Sequence, residues 1–445
     1  MIKVITYGTY DFLHHGHIKL LERAKALGDY LIVGVTADDF DKTRGKINVQ
    51  QSLMERVEAV KATGIADEVI VEEYEGQKID DIRKYGIDIF TVGSDWEGVF
   101  DYLNSYCKVI YLPRTFGISS SEIRTNQKKV KMGLVGETRI LEKFCRECDY
   151  VNGIEVIGIC SLDAQLLDDF ENLSIKTKYY DELLNSVDAV YIASHPRKHY
   201  EQIKKALMMK KHIICESPIA MSKSECIELF ELAKNNDCIL MDAIKTAYST
   251  AYSRLLVLLK SGKIGNIVSV DVTCTSLKKI DVKDQTYLSQ TWNSICSWGP
   301  TALLPVFQLL GTDYKICNIV SAFADNEKTF DIFTRIDFTY QNAVASIKVG
   351  KGVKSEGELI VSGTKGYLYV PAPWWKTDYF EVRFEDANDT KKYFYQLDGE
   401  GIRYEIVEFI KNITNNYHKT TLSKKESVAI CDIISKNDIY EISIN

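Results

Sequence analysis

The chain opens with a strand, a glycine turn and a helix whose start carries histidines. Residues 3–7 form an apolar, β-branched run typical of a buried strand, and Gly8 breaks it. The helix that follows opens with His14, Gly16 and His17. Such a helix start presents backbone N–H groups and a positive dipole end to an anion, and glycine lets the backbone approach closely. Because imidazoles can also donate hydrogen bonds to developing charge, the pattern predicts a site for phosphoryl or nucleotidyl transfer; histidines that only cap a helix are the alternative.

The composition indicates a globular enzyme with more than one domain. The chain has 445 residues, of which 45% are apolar and 26% charged, and its net charge is −7. This length exceeds one ordinary core, and the acidic balance argues against a nucleic-acid partner. No stretch approaches the ~20 apolar residues of a membrane span, and the eleven cysteines show neither a disulfide framework nor a zinc-ligand spacing. We expect a cytoplasmic enzyme without a signal peptide, and we assign no metal ligands.

Strands and helices alternate through the first part of the chain. Strands are predicted at 3–7, 30–36, 68–72, 88–92 and 108–112, with helices between them. This alternation implies a parallel sheet with helices on both faces, and ligands of such sheets bind at the carboxyl ends of the strands. Four polar residues follow predicted strands and are expected to share that edge: His14, His17, Asp95 and Arg114.

The same part of the chain resembles the cytidylyltransferase family. The resemblance covers essentially residues 1–126 and is carried by GTYDFLHHGH at 8–17, Glu55-Arg56, VGSDWEG at 92–98 and RTFGISSS at 114–121. It implies that a phosphate oxygen of a small polyol phosphate attacks the α-phosphorus of CTP, so that pyrophosphate leaves and a CDP-polyol forms without a covalent enzyme intermediate. Glycerol 3-phosphate is the acceptor that the resemblance favours, while ribitol phosphate or another polyol phosphate stays open. The product would feed teichoic-acid-like or capsular polymers, and Mg²⁺ is expected because triphosphates are handled as metal complexes.

The resemblance also implies roles for individual residues. Those expected to act in catalysis are His14, His17, Lys46 and Arg114. Those expected to contact CTP are Gly8, Thr9, Tyr10, Asp11, His14, Gly16, His17, Asp95, Arg114, Gly117, Ile118, Ser119 and Ser120. Lys46 lies in a basic loop for which a solvated run of charges is the alternative interpretation. Phe116 and Ser94 depart from the family pattern, which bears on the acceptor rather than on CTP chemistry.

A polar, basic stretch at 124–131 marks a domain boundary, after which a second strand–helix–strand unit begins. Its first strand ends at Gly136, and Asp163 follows the second strand. An acidic residue roughly 20 residues beyond the glycine is typical of a Rossmann unit, where it meets the adenosine ribose. We therefore predict an α/β chain with a Rossmann-like nucleotidyltransferase domain at 1–127, a Rossmann dinucleotide-binding-like domain at 131–245 and an open-sheet α/β domain at 246–445.

The second part resembles the glucose–fructose oxidoreductase and inositol dehydrogenase family over about residues 131–445. The stretches that carry this resemblance are 187–194, 212–220, 258–267 and 361–368. It implies a Rossmann domain followed by an open-sheet domain, with NAD(P) as the cofactor. The residues that would contact the dinucleotide are Gly136, Thr138, Asp163 and Glu216.

Several positions that such a family uses for hydride transfer are occupied by other residues. Thr138 and Leu141 stand at the middle and last positions of the G-x-G-x-x-G/A loop. Ser217 stands at the lysine of a Glu-Lys-Pro motif, and Ser297 and Thr301 stand where acid–base residues are expected. Together these changes remove a cofactor cradle, an orienting lysine and a proton donor.

Three interpretations of the whole chain follow. We predict a cytidylyltransferase with a degenerate oxidoreductase half, for which the missing residues argue against NAD(P) binding. A bifunctional enzyme whose second half makes the polyol phosphate is one alternative, with Lys245 and Tyr248 as substitutes for the missing catalytic residues. A non-catalytic scaffold protein is the other. Both resemblances imply a homo-oligomer.

Overall fold

A computed structural model describes residues 1–37, 49, 51–74, 76–113, 129–281, 284, 287–288, 291–395, 397–414, 420–436 and 439–442, except for the side chain of Asp95. The chain divides into two compact units, Met1–Lys129 and Val130–Asn445. Several predicted site residues lie outside the described residues: Lys46, Arg114, Gly117, Ile118, Ser119, Ser120 and the side chain of Asp95.

The first unit is built on a five-stranded parallel sheet with the order β3-β2-β1-β4-β5. Its strands are β1 (Lys3–Gly8), β2 (Tyr30–Thr36), β3 (Glu68–Glu72), β4 (Ile89–Gly93) and β5 (Lys108–Leu112). Its helices are α1 (His15–Lys25), α2 (Leu53–Ala62) and α3 (Gln77–Tyr85). The predicted parallel α/β fold is confirmed.

Both faces of this sheet are covered by helices. Val4 and Ile5 are successive residues of β1, so they point to opposite faces, and both are fully buried. Val4 packs in one cluster with Leu21 of α1 and Val60 of α2, whereas Ile5 packs in another with Ile82 of α3. The strand order changes direction between β1 and β4, and ligands of open α/β sheets bind at such a switch point.

The second unit begins with a six-stranded parallel sheet in the order β11-β10-β9-β6-β7-β8. Its strands are β6 (Val130–Gly136), β7 (Ile154–Cys160), β8 (Ile175–Thr177), β9 (Ala189–Ala193), β10 (His212–Glu216) and β11 (Leu240–Ala243). Its helices are α4 (Ile140–Cys148), α5 (Ala164–Asp169), α6 (Tyr180–Ser186), α7 (Pro196–Met208) and α8 (Lys223–Asn235). This is the predicted Rossmann arrangement.

A ten-stranded mixed sheet completes the second unit, with the path β20-β19-β18-β17-β12-β15-β14-β13-β21 and β16 paired to β12. The helices of this half are α9 (Lys245–Tyr248), α10 (Thr250–Lys260), α11 (Ser294–Leu310), α12 (Ile402–Thr414) and α13 (Lys424–Ile434). The strands are β12 (Ile267–Leu277), β13 (Ile316–Phe323), β14 (Asp331–Thr339), β15 (Val344–Gly350), β16 (Gly352–Val353), β17 (Leu359–Gly363), β18 (Tyr367–Val370), β19 (Tyr379–Arg383), β20 (Lys391–Phe394) and β21 (Ile439–Glu441).

Two further features bear on the class of protein. Within the part of the chain that the structure describes, no helix combines the length and the apolar character that crossing a membrane requires. All eleven cysteines lie among the described residues and are free thiols.

Candidate active site

The turn after β1 is held in a strained conformation. Tyr10 and Phe12 have φ values of 54° and 47°, in the left-handed region that costs a non-glycine residue about 1–3 kcal/mol. Tyr10 is buried, and its ring lies so close to Gly8 that a Cβ added there would come within 2.9 Å of it. Gly8 is therefore required for this packing, which leads the chain from β1 to the start of α1.

His14 and His17 stack on each other at the start of α1. Their ring centroids are 3.9 Å apart, with 19° between the ring planes. Nδ1 of His14 accepts a hydrogen bond from the N–H of Gly16 at 3.1 Å and so caps the helix. An accepting Nδ1 makes Nε2 the N–H donor of the neutral ring. The capping interpretation thus holds for one nitrogen of His14, and it is compatible with anion recognition by the other.

Arg56 of α2 ties the ends of two strands together. Its side chain is fully buried, and Nη1 donates to the carbonyl oxygens of Thr9 at 2.6 Å and Thr36 at 2.8 Å. Nε donates to the carbonyl oxygen of Gln51 at 3.2 Å. The rigid donor fork of a guanidinium suits this geometry, so Arg56 positions the loop that leads to the histidines.

The sequence resemblance included Arg56 without a role for it. A signal was present in the spacing, because Arg56 lies on the same helical stripe as Leu53, Val57 and Val60, where a charged side chain is out of place. An arginine on an apolar stripe is buried only when its donors find acceptors.

Asp11 and Gln51 fasten the same loop. Asp11 is buried, and its Oδ1 accepts a hydrogen bond from the N–H of Gln51 at 3.0 Å. The N–H of Phe12 donates to Oε1 of Gln51 at 2.7 Å. Asp11 therefore holds the turn in shape, and its contact with CTP stays a prediction.

The structure brings together the predicted CTP residues that lie between β1 and α1. These are Gly8, Thr9, Tyr10, Asp11, His14, Gly16 and His17, all within one turn and the following helix start. A short 3-10 helix, Ser94–Trp96, follows β4, the strand beside β1. The backbone of Asp95 therefore lies at the carboxyl edge of the sheet that also carries the histidines.

The second unit contains a cleft of about 940 Å³ at the carboxyl ends of its six-stranded sheet. Three of the four predicted dinucleotide contacts line it: Thr138, Asp163 and Glu216. The mixed-sheet half contributes Ser276, Lys278, Trp292, Ser297, Trp298 and Lys351. Ser297 stands at one of the positions where the family is expected to carry an acid–base residue. It lines the cleft with a hydroxyl in place of an ionisable group.

The turn between β6 and α4 keeps the first glycine of a dinucleotide-binding loop. Side chains occupy the positions at which the later glycines would leave space for a pyrophosphate. Gly136 has a φ of 134°, and a Cβ there would lie 2.5 Å from the carbonyl carbon of Ala193. Oγ1 of Thr138 donates to the carbonyl oxygen of Ala193 at 3.0 Å, so a side chain stands where glycine leaves the backbone bare for a pyrophosphate. Glu137 adds a carboxylate that Lys198 pairs at 3.1 Å. Glu137 and Thr138 therefore do not provide the bare backbone with which a G-x-G-x-x-G loop holds the pyrophosphate of a dinucleotide.

Asp163 and Glu216 are both engaged by the protein. Oδ1 of Asp163 caps α5 by accepting from the N–H groups of Gln165 at 3.0 Å and Leu166 at 3.2 Å. Glu216 accepts a hydrogen bond from the hydroxyl of Tyr191, and burial raises the pKa of Glu216. Contact of either residue with a dinucleotide stays a prediction.

Lys245 and Tyr248 are not among the described residues that line the cleft, and their role as substitutes for the missing groups stays a prediction. Tyr248 is buried, and its hydroxyl donates to the carbonyl oxygen of Asp242 at 2.8 Å. Nζ of Lys245 lies 3.1 Å from the carboxylate of Glu400, which two further lysines also contact. Burial opposes ionisation of Glu400, but hydrogen bonds from these lysines outweigh it and lower its pKa to about 2. Lys245 is thus held in an ion pair and Tyr248 in the core.

Two family models match the chain. A cytidylyltransferase-like model matches residues 5–126, and a model of an oxidoreductase family with an NAD-binding Rossmann fold matches residues 130–243. The glycerol-3-phosphate cytidylyltransferase of Bacillus spizizenii is 52% identical over 124 residues, which are 28% of this chain and 95% of that protein. The enzyme of the same name from Staphylococcus aureus is 48% identical over 124 residues, 28% of this chain and 93% of that protein. Both predicted resemblances are confirmed.

Solved oxidoreductases share the fold of the larger part of the chain. KijD10, a 3-ketoreductase from Actinomadura kijaniata solved with NADP, matches 72% of this chain and 100% of its own with a TM-score of 0.64 and 18% identity. Levoglucosan dehydrogenase, solved with NADH and levoglucosan, matches 69% and 96% with a TM-score of 0.60 and 17% identity. At these identities the similarity establishes the fold alone.

Proposed function

The chain belongs, through its first unit, to the cytidylyltransferase-like family, and from this membership we propose that it joins CTP to a small polyol phosphate, giving a CDP-polyol and pyrophosphate. The observation that carries the proposal is the stacked pair of His14 and His17 at the start of α1, beside the switch point of a parallel sheet. Glycerol 3-phosphate is the proposed acceptor because relatives at 52% and 48% identity are named for it.

In the proposed reaction an oxygen of the polyol phosphate attacks the α-phosphorus of CTP. A new P–O bond forms there, the bond to the pyrophosphate oxygen breaks, and negative charge grows on the α-phosphoryl oxygens and on the leaving group. His14 and His17 donate hydrogen bonds to this charge beside the N-terminus of α1. Mg²⁺ arrives with the triphosphate as part of the substrate and offsets its charge. No side chain forms a covalent bond, so the protein acts by positioning and charge stabilisation.

The proposal extends to the use of the product. A CDP-polyol is an activated donor, and we propose that it supplies cell-surface polymers of the teichoic-acid or capsule type from the cytoplasm. Assembly of the chain as a homo-oligomer stays a prediction, for which light scattering on the purified protein is the direct measurement.

A substrate panel tests the first activity. The full chain is incubated with CTP, Mg²⁺ and one acceptor at a time, namely glycerol 3-phosphate, ribitol 5-phosphate or free glycerol, and product is followed by pyrophosphate release and by chromatography of the CDP compound. We expect glycerol 3-phosphate to support turnover and free glycerol, which lacks the attacking phosphate, to give none. A protein that binds CTP yet forms no CDP compound with either polyol phosphate would contradict the proposal.

For the second unit we propose a retained oxidoreductase fold without hydride transfer. The supporting observations are Thr138 bonded across the dinucleotide turn and the engagement of Lys245 and Tyr248 elsewhere. Calorimetric titration of the full chain with NADH and NADPH is expected to show a Kd above about 1 mM, with CTP and Mg²⁺ as the positive control.

The variant Thr138→Gly sharpens this titration. Restoring glycine removes the side chain at the turn, so tighter nicotinamide binding in the variant than in the native chain is expected if Thr138 is the obstacle. Micromolar binding of NADH or NADPH by the native chain would instead favour the bifunctional enzyme, in which the second unit makes the polyol phosphate.

A further inference from the structure

Two lysines of the second-unit cleft are placed side by side by strand register. The end of β12 pairs antiparallel with β16, and one step beyond this pairing the N–H of Lys278 donates to the carbonyl oxygen of Lys351 at 2.8 Å. Lys278 and Lys351 are therefore neighbours across two strands, and both line the cleft. Like charges directly opposite each other destabilise a sheet, so this arrangement opposes the stability of the fold.

Lys351 is held in this position by its surroundings. Only 8% of the residue is exposed, its Nζ donates to the carbonyl oxygen of Trp292, and its N–H donates to Oγ of Ser294 at 3.0 Å. Burial, followed by the charge of Lys278, lowers the pKa of Lys351 to about 8. Near neutral pH Lys351 is therefore still mainly cationic.

Within the described ranges no carboxylate forms a salt bridge with this pair. Asp331 favours the charge of Lys351, but its carboxylate is already bonded by the hydroxyl of Thr334 at 2.7 Å and by a backbone N–H. The acidic residues that line the cleft all belong to the six-stranded-sheet half: Glu137, Asp163 and Glu216. Two adjacent cations that form no salt bridge with a carboxylate among the described residues indicate that their counter-charge is a ligand.

We propose that the cleft of the second unit binds the phosphate group of a small phosphorylated polyhydroxy compound between Lys278 and Lys351. A phosphate monoester carries close to two negative charges at neutral pH, and it would replace the repulsion of the ammonium groups by charge-assisted hydrogen bonds. Trp292, Trp298 and Ser297 supply the aromatic surface and the hydroxyl for the rest of the ligand. The cleft volume of about 940 Å³ accommodates a molecule of this size. The proposal goes beyond nucleotidyl transfer and does not rest on it.

Pyridoxal 5′-phosphate is the probe that tests this site. Its aldehyde condenses with a lysine amine to an imine, which borohydride fixes, and its phosphate reports anion recognition. The full chain is labelled in parallel with pyridoxal, which has the aldehyde but no phosphate, and peptide mass mapping gives the ratio of the two labels at each lysine. The lowered pKa of Lys351 speeds reaction with both aldehydes alike, so the ratio isolates the contribution of the phosphate. Lys279, exposed beside Lys278 but not lining the cleft, is the matched control.

We expect the ratio at Lys278 and Lys351 to exceed that at Lys279 by at least about tenfold, the factor that one charge-assisted hydrogen bond supplies. Inorganic phosphate and glycerol 3-phosphate should protect both lysines from the probe. Lys278→Met, at an exposed position that tolerates substitution, should lower the ratio at Lys351 toward that of Lys279.

Equal ratios at the three lysines would overturn the proposal. Protection by CTP but not by inorganic phosphate would also overturn it, because the cleft would then recognise a nucleotide. The mapped peptides belong to the second unit, so a failure here is distinguishable from a failure of CDP-polyol formation in the first.

Discussion

Replacement of His17 by alanine is expected to lower kcat for CDP-glycerol formation by about 10²–10³-fold, the range found when one preorganised donor to a developing charge is removed. The ring centroids of His17 and His14 lie 3.9 Å apart at the N-terminus of α1, whose dipole favours an anion. The donor is most strongly engaged when charge grows on the α-phosphoryl oxygens, so its loss should affect kcat more than KM. Steady-state kinetics with varied CTP at saturating glycerol 3-phosphate measures both constants.

Two further variants separate chemistry from helix stability. His15 is the exposed first residue of α1, and His15→Ala is expected to retain the native kcat. His14→Ala removes the cap to the N–H of Gly16 as well as a donor, so it should also lower the free energy of unfolding by about 1 kcal/mol. Native kcat in His17→Ala would show that the active site has been assigned to the wrong residues.

The sheet of the first unit could be predicted because its determinants are local. β2, β3 and β5 are short apolar, β-branched runs between turn residues, and such runs become buried strands wherever helices cover both faces. The strained turn could not be predicted in this way. Tyr10 and Phe12 adopt φ values that their residue types disfavour, and contacts with Gln51 and Arg56, distant in sequence, hold the turn in place.

The cleft of the second unit could likewise be predicted from the sequence only where its features are local. The loss of a glycine at Thr138 is visible locally, and the structure places that side chain across the turn. The hydrogen-bond partner of the Tyr248 hydroxyl, by contrast, depends on the packing of α9 and is not visible in the local sequence. Lys278 and Lys351 become neighbours only through the register of distant strands. No short motif marks such a pair, because each lysine alone looks like an ordinary surface residue.

Arg56→Met is expected to lower the free energy of unfolding of the first unit by about 3–5 kcal/mol, the cost of removing one partner from a buried network of charged hydrogen bonds. The carbonyl oxygens of Thr9, Thr36 and Gln51 would lose their donors. Methionine fills a similar volume and favours the helix, so the loss reports the hydrogen bonds rather than a cavity. Pulse proteolysis of the full chain in urea, with mass mapping of the fragments, measures the two units separately.

Arg23→Met is the matched control for this effect. Arg23 also donates to a backbone carbonyl, that of Pro113 at 2.8 Å, but this hydrogen bond is solvent-exposed, and substitutions away from buried networks usually change stability by no more than about 0.5 kcal/mol. Arg56→Lys keeps the charge without the planar fork and should fall between the two. Because Thr9 carries the chain from β1 into the histidine turn, loss of the Arg56 bonds should also lower nucleotidyl transfer in the fraction that remains folded. If Arg56→Met were no less stable than Arg23→Met, the guanidinium would not be the group that holds the strained turn.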